Sequence, residues 1–379
     1  MRISTTGMLS LLIGTLISAS LQAGMQLQTE EHRVRIEVVA EGLHHPWSIA
    51  FLPSGDQLIT EREGRLRLLH NDQLHPDPIT GVPEVAATGQ GGLLDVALHP
   101  DYENNQLIYL SYSDATDEGL TTRVLRARLQ DHALHEVVTI FEALPRSSGG
   151  RHFGGRMVFD QAGFLYLSVG DRGDMQRAQQ GRDHAGSIIR LHDDGSVPAD
   201  NPFVDDAEVH DEIYTLGNRN PQGITLHPDT GDVWSSEHGP RGGDEINRIQ
   251  AGLNYGWPEV TQGVNYIGTE ITPHSEQPGM ESPLLHWTPS IAPSGITFYT
   301  GDEFPAWQGQ LLNGALKDRL ISRVSVTYVQ GEYHLQEEER FLQGFGQRIR
   351  DIRQSPDGIL WLLTDETRGQ VVRLRPAND

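Results

Sequence analysis

One recurring phrase constrains the fold of this chain more than any other feature. In it an alternating apolar segment leads into a Pro or acidic turn, and then into a β-rich run ending in Ser or Thr. A clear copy is Val96-Ala97-Leu98-His99-Pro100-Asp101, followed by Leu107-Ile108-Tyr109-Leu110-Ser111. Others begin at Ile49, Met157, Ile224 and Ile352, and a degenerate one at Ile296. Alternation at period two puts successive side chains on opposite faces, which a strand uses and a helix does not. Taken from Pro53, Pro100, Gln161, Pro228, Thr300 and Pro356, the spacings are 47, 61, 67, 72 and 56 residues. Each interval holds a four-stranded sheet with its loops. The expected fold is therefore all-β, a six-bladed β-propeller of four-stranded antiparallel blades. The alternating segment from Arg33 to Val39 should close the ring beside Val371 to Leu374. A tandem of β-sandwiches is the runner-up, but it gives no reason for one repeated turn.

The N-terminus carries Arg2, an apolar run from Met8 to Ile17, and small residues leading to Ala23 and Gly24. That is the layout of a secretory signal over 1–23, with 24–379 as a single mature catalytic domain. The run is too short to span a bilayer, so membrane insertion is not expected. Without any cysteine, a lipid-anchored lipoprotein, a disulfide scaffold, thiolate catalysis and iron–sulfur clusters are excluded. A net charge of −23, from 52 acidic against 29 basic residues, argues against nucleic acid as a partner. A periplasmic or secreted enzyme, monomeric or weakly dimeric, is the expectation.

Several segments carry chemistry. The stretch 217–257 holds eight of the 41 glycines and two turns, Arg219-Asn220-Pro221-Gln222-Gly223 and 237–245, the second mixing carboxylates with free carbonyls. Those are the hard oxygen donors calcium prefers, although for either turn taken alone a structural β-turn is the favoured reading. His152 sits in a glycine-rich loop, where an imidazole titrating near neutrality can act as a general base, and Asp171 at a strand end can orient it. A surface histidine and a turn-capping aspartate are the ordinary alternatives. Arg219, Lys317, Arg348 and Arg350 are cations that an acidic chain must account for. At strand spacing Arg348 and Arg350 share a face and suit a carboxylate ligand. The same spacing at Arg65 and Arg67, and at Arg373 and Arg375, shows that a solvated strand face is equally compatible. No P-loop, His-Glu-x-x-His, EF-hand or Gly-x-Ser-x-Gly motif occurs.

Six segments in order resemble one family: Gly89-Gln90-Gly91-Gly92-Leu93-Leu94, His152-x-x-Gly155-Arg156, Val169-Gly170-Asp171, Arg219 to Gly223, Glu237 to Asn247, and Ala315-Leu316-Lys317 with Arg348-Ile349-Arg350. The family is the soluble aldose sugar dehydrogenases that use pyrroloquinoline quinone (PQQ), relatives of soluble quinoprotein glucose dehydrogenase. The resemblance covers nearly all of the mature chain. It implies a six-bladed propeller with PQQ on its top face, oxidising aldose sugars at C1 and passing electrons to a respiratory acceptor not identified by sequence. By resemblance His152 is the base, Asp171 orients it, and Arg219 stabilises charge on the quinone. Gln90, Arg219, Asn220, Tyr266, Ala315, Leu316, Lys317, Arg348 and Arg350 match cofactor-lining positions. PQQ carries three carboxylates, so cations belong there. The carbonyls of Gly239 and Pro240 match the holders of the cofactor's calcium, and Glu245 and Tyr255, the latter through its carbonyl, match ligands of a structural calcium.

Two departures argue for a broad sugar range. The glucose dehydrogenase branch has an aspartate where Arg151 stands, and a glutamine at the position of His238. Trp287 aligns with a sugar-stacking tryptophan only with a one-residue slip. The competing readings are a calcium-dependent propeller lactonase, which leaves the arginines unexplained, and a noncatalytic binding propeller, which leaves the Asp171–His152 pairing without a role.

Overall fold

The computed structural model describes residues 25–377, so the expected signal over 1–23 lies outside the described residues. Five four-stranded antiparallel sheets follow one another over 46–74, 93–142, 157–215, 221–287 and 293–341. The sixth blade joins Ile349–Gln354, Leu360–Thr364 and Gly369–Pro376 to Arg33–Leu43. The ring therefore closes as the sequence implies, with Ile36 opposite Leu374 and Val38 opposite Val372. A short strand, Met25–Gln28, adds a fifth member to that last sheet.

Each copy of the phrase supplies the two innermost strands of one blade. The second strands, such as Gln57–Glu61, Leu165–Val169, Val233–Glu237 and Leu360–Thr364, are buried at every residue. A strand flanked by blades on both faces has no solvent side, hence its short apolar run. Outer strands do have one, and Ala133–Glu142 and Glu332–Phe341 mix exposed with half-buried residues along most of their length.

The core is divided into clusters between neighbouring blades rather than gathered at one centre. Leu58 and Leu66 meet Val96 and Leu110 between the first two blades, and Trp234 and Ile246 meet Ile296 and Phe298 between the fourth and fifth. Each large apolar side chain buried this way contributes roughly 1.5–3 kcal/mol. The Ser or Thr that ends the phrase has a matching purpose. Thr60, Ser111 and Ser168 each donate to a carbonyl of the next blade, at Leu94, Gly155 and Pro221 respectively, and in the fourth blade Ser236, one residue past the phrase's Ser235, donates to Ser294. The phrase thus encodes both the strand pair and a stitch between blades.

Candidate functional site

The propeller's regularity decides which residues converge. Two positions before the start of four of the six copies of the phrase lie Trp47, Leu94, Gln222 and Arg350, and all four line one cavity at the end of the propeller away from the phrase turns. The residues just after the second strands reach the same end: Arg62 after Gln57–Glu61, His238 after Val233–Glu237, Leu316 after Leu311–Ala315, and Asp365 after Leu360–Thr364. Gln90, Phe153, Gly154, Asn220, Ala292 and Arg348 complete the lining.

His152 stands beside this cavity. Its backbone N–H donates to Gln90 Oε1 at 2.8 Å, and two residues on, Gly154 N donates to Asn220 Oδ1 at 3.2 Å. Its ring Nδ1 lies 2.6 Å from Asp171 Oδ1, with the imidazole 10% and the carboxylate 2% exposed. Asp171 is fixed in turn by Gly173 N at 2.7 Å and by the Trp257 indole N–H at 2.9 Å. A carboxylate there makes Nδ1 the protonated nitrogen, which leaves the Nε2 lone pair free to accept a proton. Burial pulls the imidazole below its ordinary range, and the Arg219 charge adds to this against the pull of Asp171. Burial alone would raise the Asp171 carboxyl, but the His152 bond and charge hold it below its usual value.

The backbone here is tightly specified. His152 adopts φ +53°, uncommon for a residue with a side chain and of a kind that recurs at functional sites. A Cβ on Gly170 would stand 2.4 Å from the His152 carbonyl oxygen and 2.8 Å from Asn220 Oδ1. Gly170→Ala is therefore expected to displace both the histidine loop and Asn220. Ligand affinity and turnover should fall while near-UV circular dichroism and Tm report a folded propeller. Wild-type turnover in this variant would mean the loop has more freedom than the packing allows.

The cations converge on one carboxylate. Arg350 Nη2 lies 2.5 Å and Arg348 Nη2 3.3 Å from Asp365 Oδ2, and His45 Nδ1 lies 2.8 Å from Oδ1. Against the cost of its burial, the Arg350 charge and the His45 bond hold Asp365 far below the usual carboxylate range. Beneath them Arg156 is fully enclosed. It donates to the Gln222 and Arg350 carbonyls at 2.7 and 2.9 Å, pairs with Asp351 at 3.0 Å, and stacks over Trp47. His238 donates Nε2–H to the Pro293 carbonyl at 2.6 Å. Burial, Arg219 and Arg350 push it down to about 3, so it stays neutral. The Nε atoms of Arg219 and Arg350 are buried without a partner. The cavity's own donors, Arg62, Arg348 and Arg350 with the side-chain amides of Gln90, Asn220 and Gln222, fit a polycarboxylate.

Some expected contacts are not made. Ala315 is wholly buried in the apolar cluster with Trp234, Trp287 and Leu311, because its side of the strand faces the neighbouring blade. Tyr266 is 67% exposed in the 257–283 loop, outside the cavity lining. Lys317 turns its ammonium to the Ser290 carbonyl at 2.6 Å and to Asp318. Trp287 is core, with its indole on Glu337 at 2.9 Å. Arg219 does not line the cavity either, since its Nη1 donates to the carbonyls of His238 and Gly239 at 2.8 and 3.1 Å. That guanidinium occupies one of the two carbonyls expected to hold calcium, so a cation does not fit Gly239 and Pro240 in this arrangement.

The second expected metal position fits better. Glu237 and Glu245 face each other across paired strands, and the Asn247 amide donates to both, at 3.3 and 3.1 Å. Burial raises both carboxyls, Glu245 further because of the Glu237 charge. Asn247 Oδ1 has no partner, and two carboxylates with an amide oxygen are calcium donors. The Tyr255 hydroxyl is engaged by Arg248 and Gln250, which leaves its carbonyl as the group open to a metal.

Arg62, Trp47, Gln222, His238 and Asp365 were not among the expected cavity residues. A signal existed for two of them, since Trp47 and Gln222 hold the position two before the phrase that Arg350 also holds.

A family model described as glucose/sorbosone dehydrogenase matches residues 43–373. Aldose sugar dehydrogenase YliI of Escherichia coli K12 is 44% identical over 351 residues, spanning 91% of this chain and 94% of that protein. The crystal structure of the soluble aldose sugar dehydrogenase of Escherichia coli in the apo-form superposes with a TM-score of 0.87 at 43% identity, covering 91% of this chain and all of that one. The PQQ-bound aldose sugar dehydrogenase of Streptomyces coelicolor gives 0.73 at 27% identity, covering 90% and 98%.

Proposed function

The chain belongs to the glucose/sorbosone dehydrogenase family, and from that premise we propose that it is a periplasmic PQQ- and calcium-dependent aldose dehydrogenase. It oxidises a broad range of aldoses at C1 to aldonolactones and passes the electrons to a respiratory acceptor. The observation that carries this reading is the His152–Asp171 pair, 2.6 Å apart, standing beside a cavity lined by Arg62, Arg348 and Arg350. Among the described residues no helix is long and apolar enough to cross a membrane.

His152 Nε2 takes the proton of the C1 hydroxyl, and Asp171 stabilises the imidazolium that results. Arg62, Arg348 and Arg350 would hold the cofactor's carboxylates, while Gln90 and Asn220 link the cavity to the histidine loop. Arg219 keeps a positive charge within reach of the base. PQQ, when bound, supplies the acceptor for the hydride leaving C1. Adding PQQ and calcium to purified protein should produce dye reduction with several aldoses. Saturable PQQ binding without turnover of any sugar would overturn the assignment, and no PQQ binding at all would favour a lactonase.

Calcium at Glu237 and Glu245 has a signature of its own. In metal-free protein both carboxyls are raised in the folded state, so folding favours their protonated forms. That contribution is present at acid pH and is lost as pH rises above the ordinary glutamate range. The Tm of chelated protein should therefore fall from pH 5 toward neutrality relative to calcium-loaded protein. A calcium increment in Tm that does not grow with pH would count against this pair as the ligand site.

A further inference from the structure

Arg151, next to the base, is built unlike the other arginines around the site. Arg172 is buried, donates to the Arg151 and Gly149 carbonyls, and stacks on Phe153 at 3.4 Å. Arg219 is committed to two carbonyls. Arg151 is exposed, and no described residue forms an ion pair or hydrogen bond with its guanidinium. Its side chain nevertheless has a defined seat. A Cβ on Gly173 would lie 2.8 Å from both Cγ and Cδ of Arg151 and 3.0 Å from its Nε, and Gly173 has φ +80°. The Gly173 N–H donates to Asp171 Oδ1 at 2.7 Å. The stem of Arg151 thus lies across the turn that fixes the carboxylate behind His152.

An arginine merely solvated on a surface gains nothing from a seat cut out of its neighbour. Placed here it also lowers the basicity of His152, adding to burial and to Arg219. In a chain of net charge −23 the overall field repels anionic small molecules, so an anion reaching the base needs a local cation. We infer that Arg151 is a substrate-binding residue for an anionic substituent of the sugar other than the reacting C1 hydroxyl, which makes acidic aldoses, with hexuronic acids as the type, preferred over neutral ones. With the C1 hydroxyl on His152, the C6 carboxylate leaves C5 on the same ring-oxygen edge of the sugar, where the guanidinium of the adjacent residue can grip it in bidentate fashion. The C1–H and O–H bonds break, the C1=O bond forms, two electrons and two protons are taken up by the quinone oxidant, and the C6 carboxylate is unchanged. This rests on the dehydrogenase reading above.

The test measures kcat/KM of the PQQ- and calcium-loaded enzyme for glucuronate, glucose 6-phosphate and glucose, at low and high salt. The glucuronate-to-glucose ratio should exceed one. It should fall about tenfold in Arg151→Gln, the size of a charge-assisted hydrogen bond, and recover in part in Arg151→Lys. Salt should lower the ratio in wild type and not in Arg151→Gln. A still higher value for glucose 6-phosphate keeps the anion site and makes phosphate its ligand. A ratio below one for both acidic sugars, or one unmoved by Arg151→Gln, overturns the inference while glucose turnover leaves the parent reading standing. No turnover of any sugar by PQQ-saturated protein overturns both.

Discussion

Replacing His152 by alanine is expected to lower aldose turnover by about 10²- to 10⁴-fold, the range a positioned general base supplies, while PQQ titration still reaches saturation. The two readouts separate because the imidazole does not line the cavity. Only its backbone N–H is tied to Gln90, and alanine keeps that bond. Since burial holds the imidazole below its ordinary value, the acid limb of kcat/KM in the wild-type enzyme should fall below about pH 6.5. Turnover within a few-fold of wild type in His152→Ala, or an acid limb well above neutrality, would remove His152 from the role of base. Asp171→Asn should retain cofactor and lose turnover, because an amide cannot stabilise the imidazolium. Its indole contact from Trp257 can persist on the amide oxygen, so the fold should survive.

Arg350→Ala should weaken PQQ binding by roughly 30- to 5,000-fold. The figure corresponds to about 2–5 kcal/mol for truncating one partner of a buried, hydrogen-bonded charge pair. Arg350 donates to Asp365 at 2.5 Å and to Gln222 Oε1 at 3.1 Å. Its loss removes a cavity donor and leaves Asp365 with Arg348 at 3.3 Å and His45 at 2.8 Å. The carboxylate then faces the incoming ligand with less compensation, and like charges repel strongly where water is scarce. Arg373→Ala supplies the control. That arginine pairs with Asp72 in the turn after Arg65–His70, away from the cavity lining, and its removal should leave PQQ affinity unchanged. Equal weakening in both variants would mean that the cavity arginines act only through global charge.

The sequence by itself determined the architecture. Alternation, a repeated turn and a β-rich run are local properties, written into adjacent residues by strand geometry, and six copies at blade-length spacing leave little besides a propeller. The closing pair was legible too, since the alternating 33–39 segment precedes the first copy of the phrase and Val371–Leu374 follows the last. The proximity of His152 and Asp171 could be proposed because both border glycine-rich turns at one end of the same blade.

What the tertiary structure alone decided is how the charges are partnered and which of them share a cavity. In sequence Arg62 is one charge among four in Glu61-Arg62-Glu63-Gly64-Arg65; only the curvature of the ring brings it to Arg348 and Arg350. Asp365 reads as a turn residue until two guanidinium groups are found on one of its oxygens. Ala315 and Leu316 are neighbours in sequence, yet the first packs into an apolar cluster and the second lines the cavity, because the strand ends between them. Arg219 turns to two carbonyls, a choice set by burial and not by spacing. Strand periodicity is a short-range signal, whereas this cavity is assembled from segments as far apart as Trp47 and Asp365. Radial closure supplies that convergence, and no window of the sequence contains it.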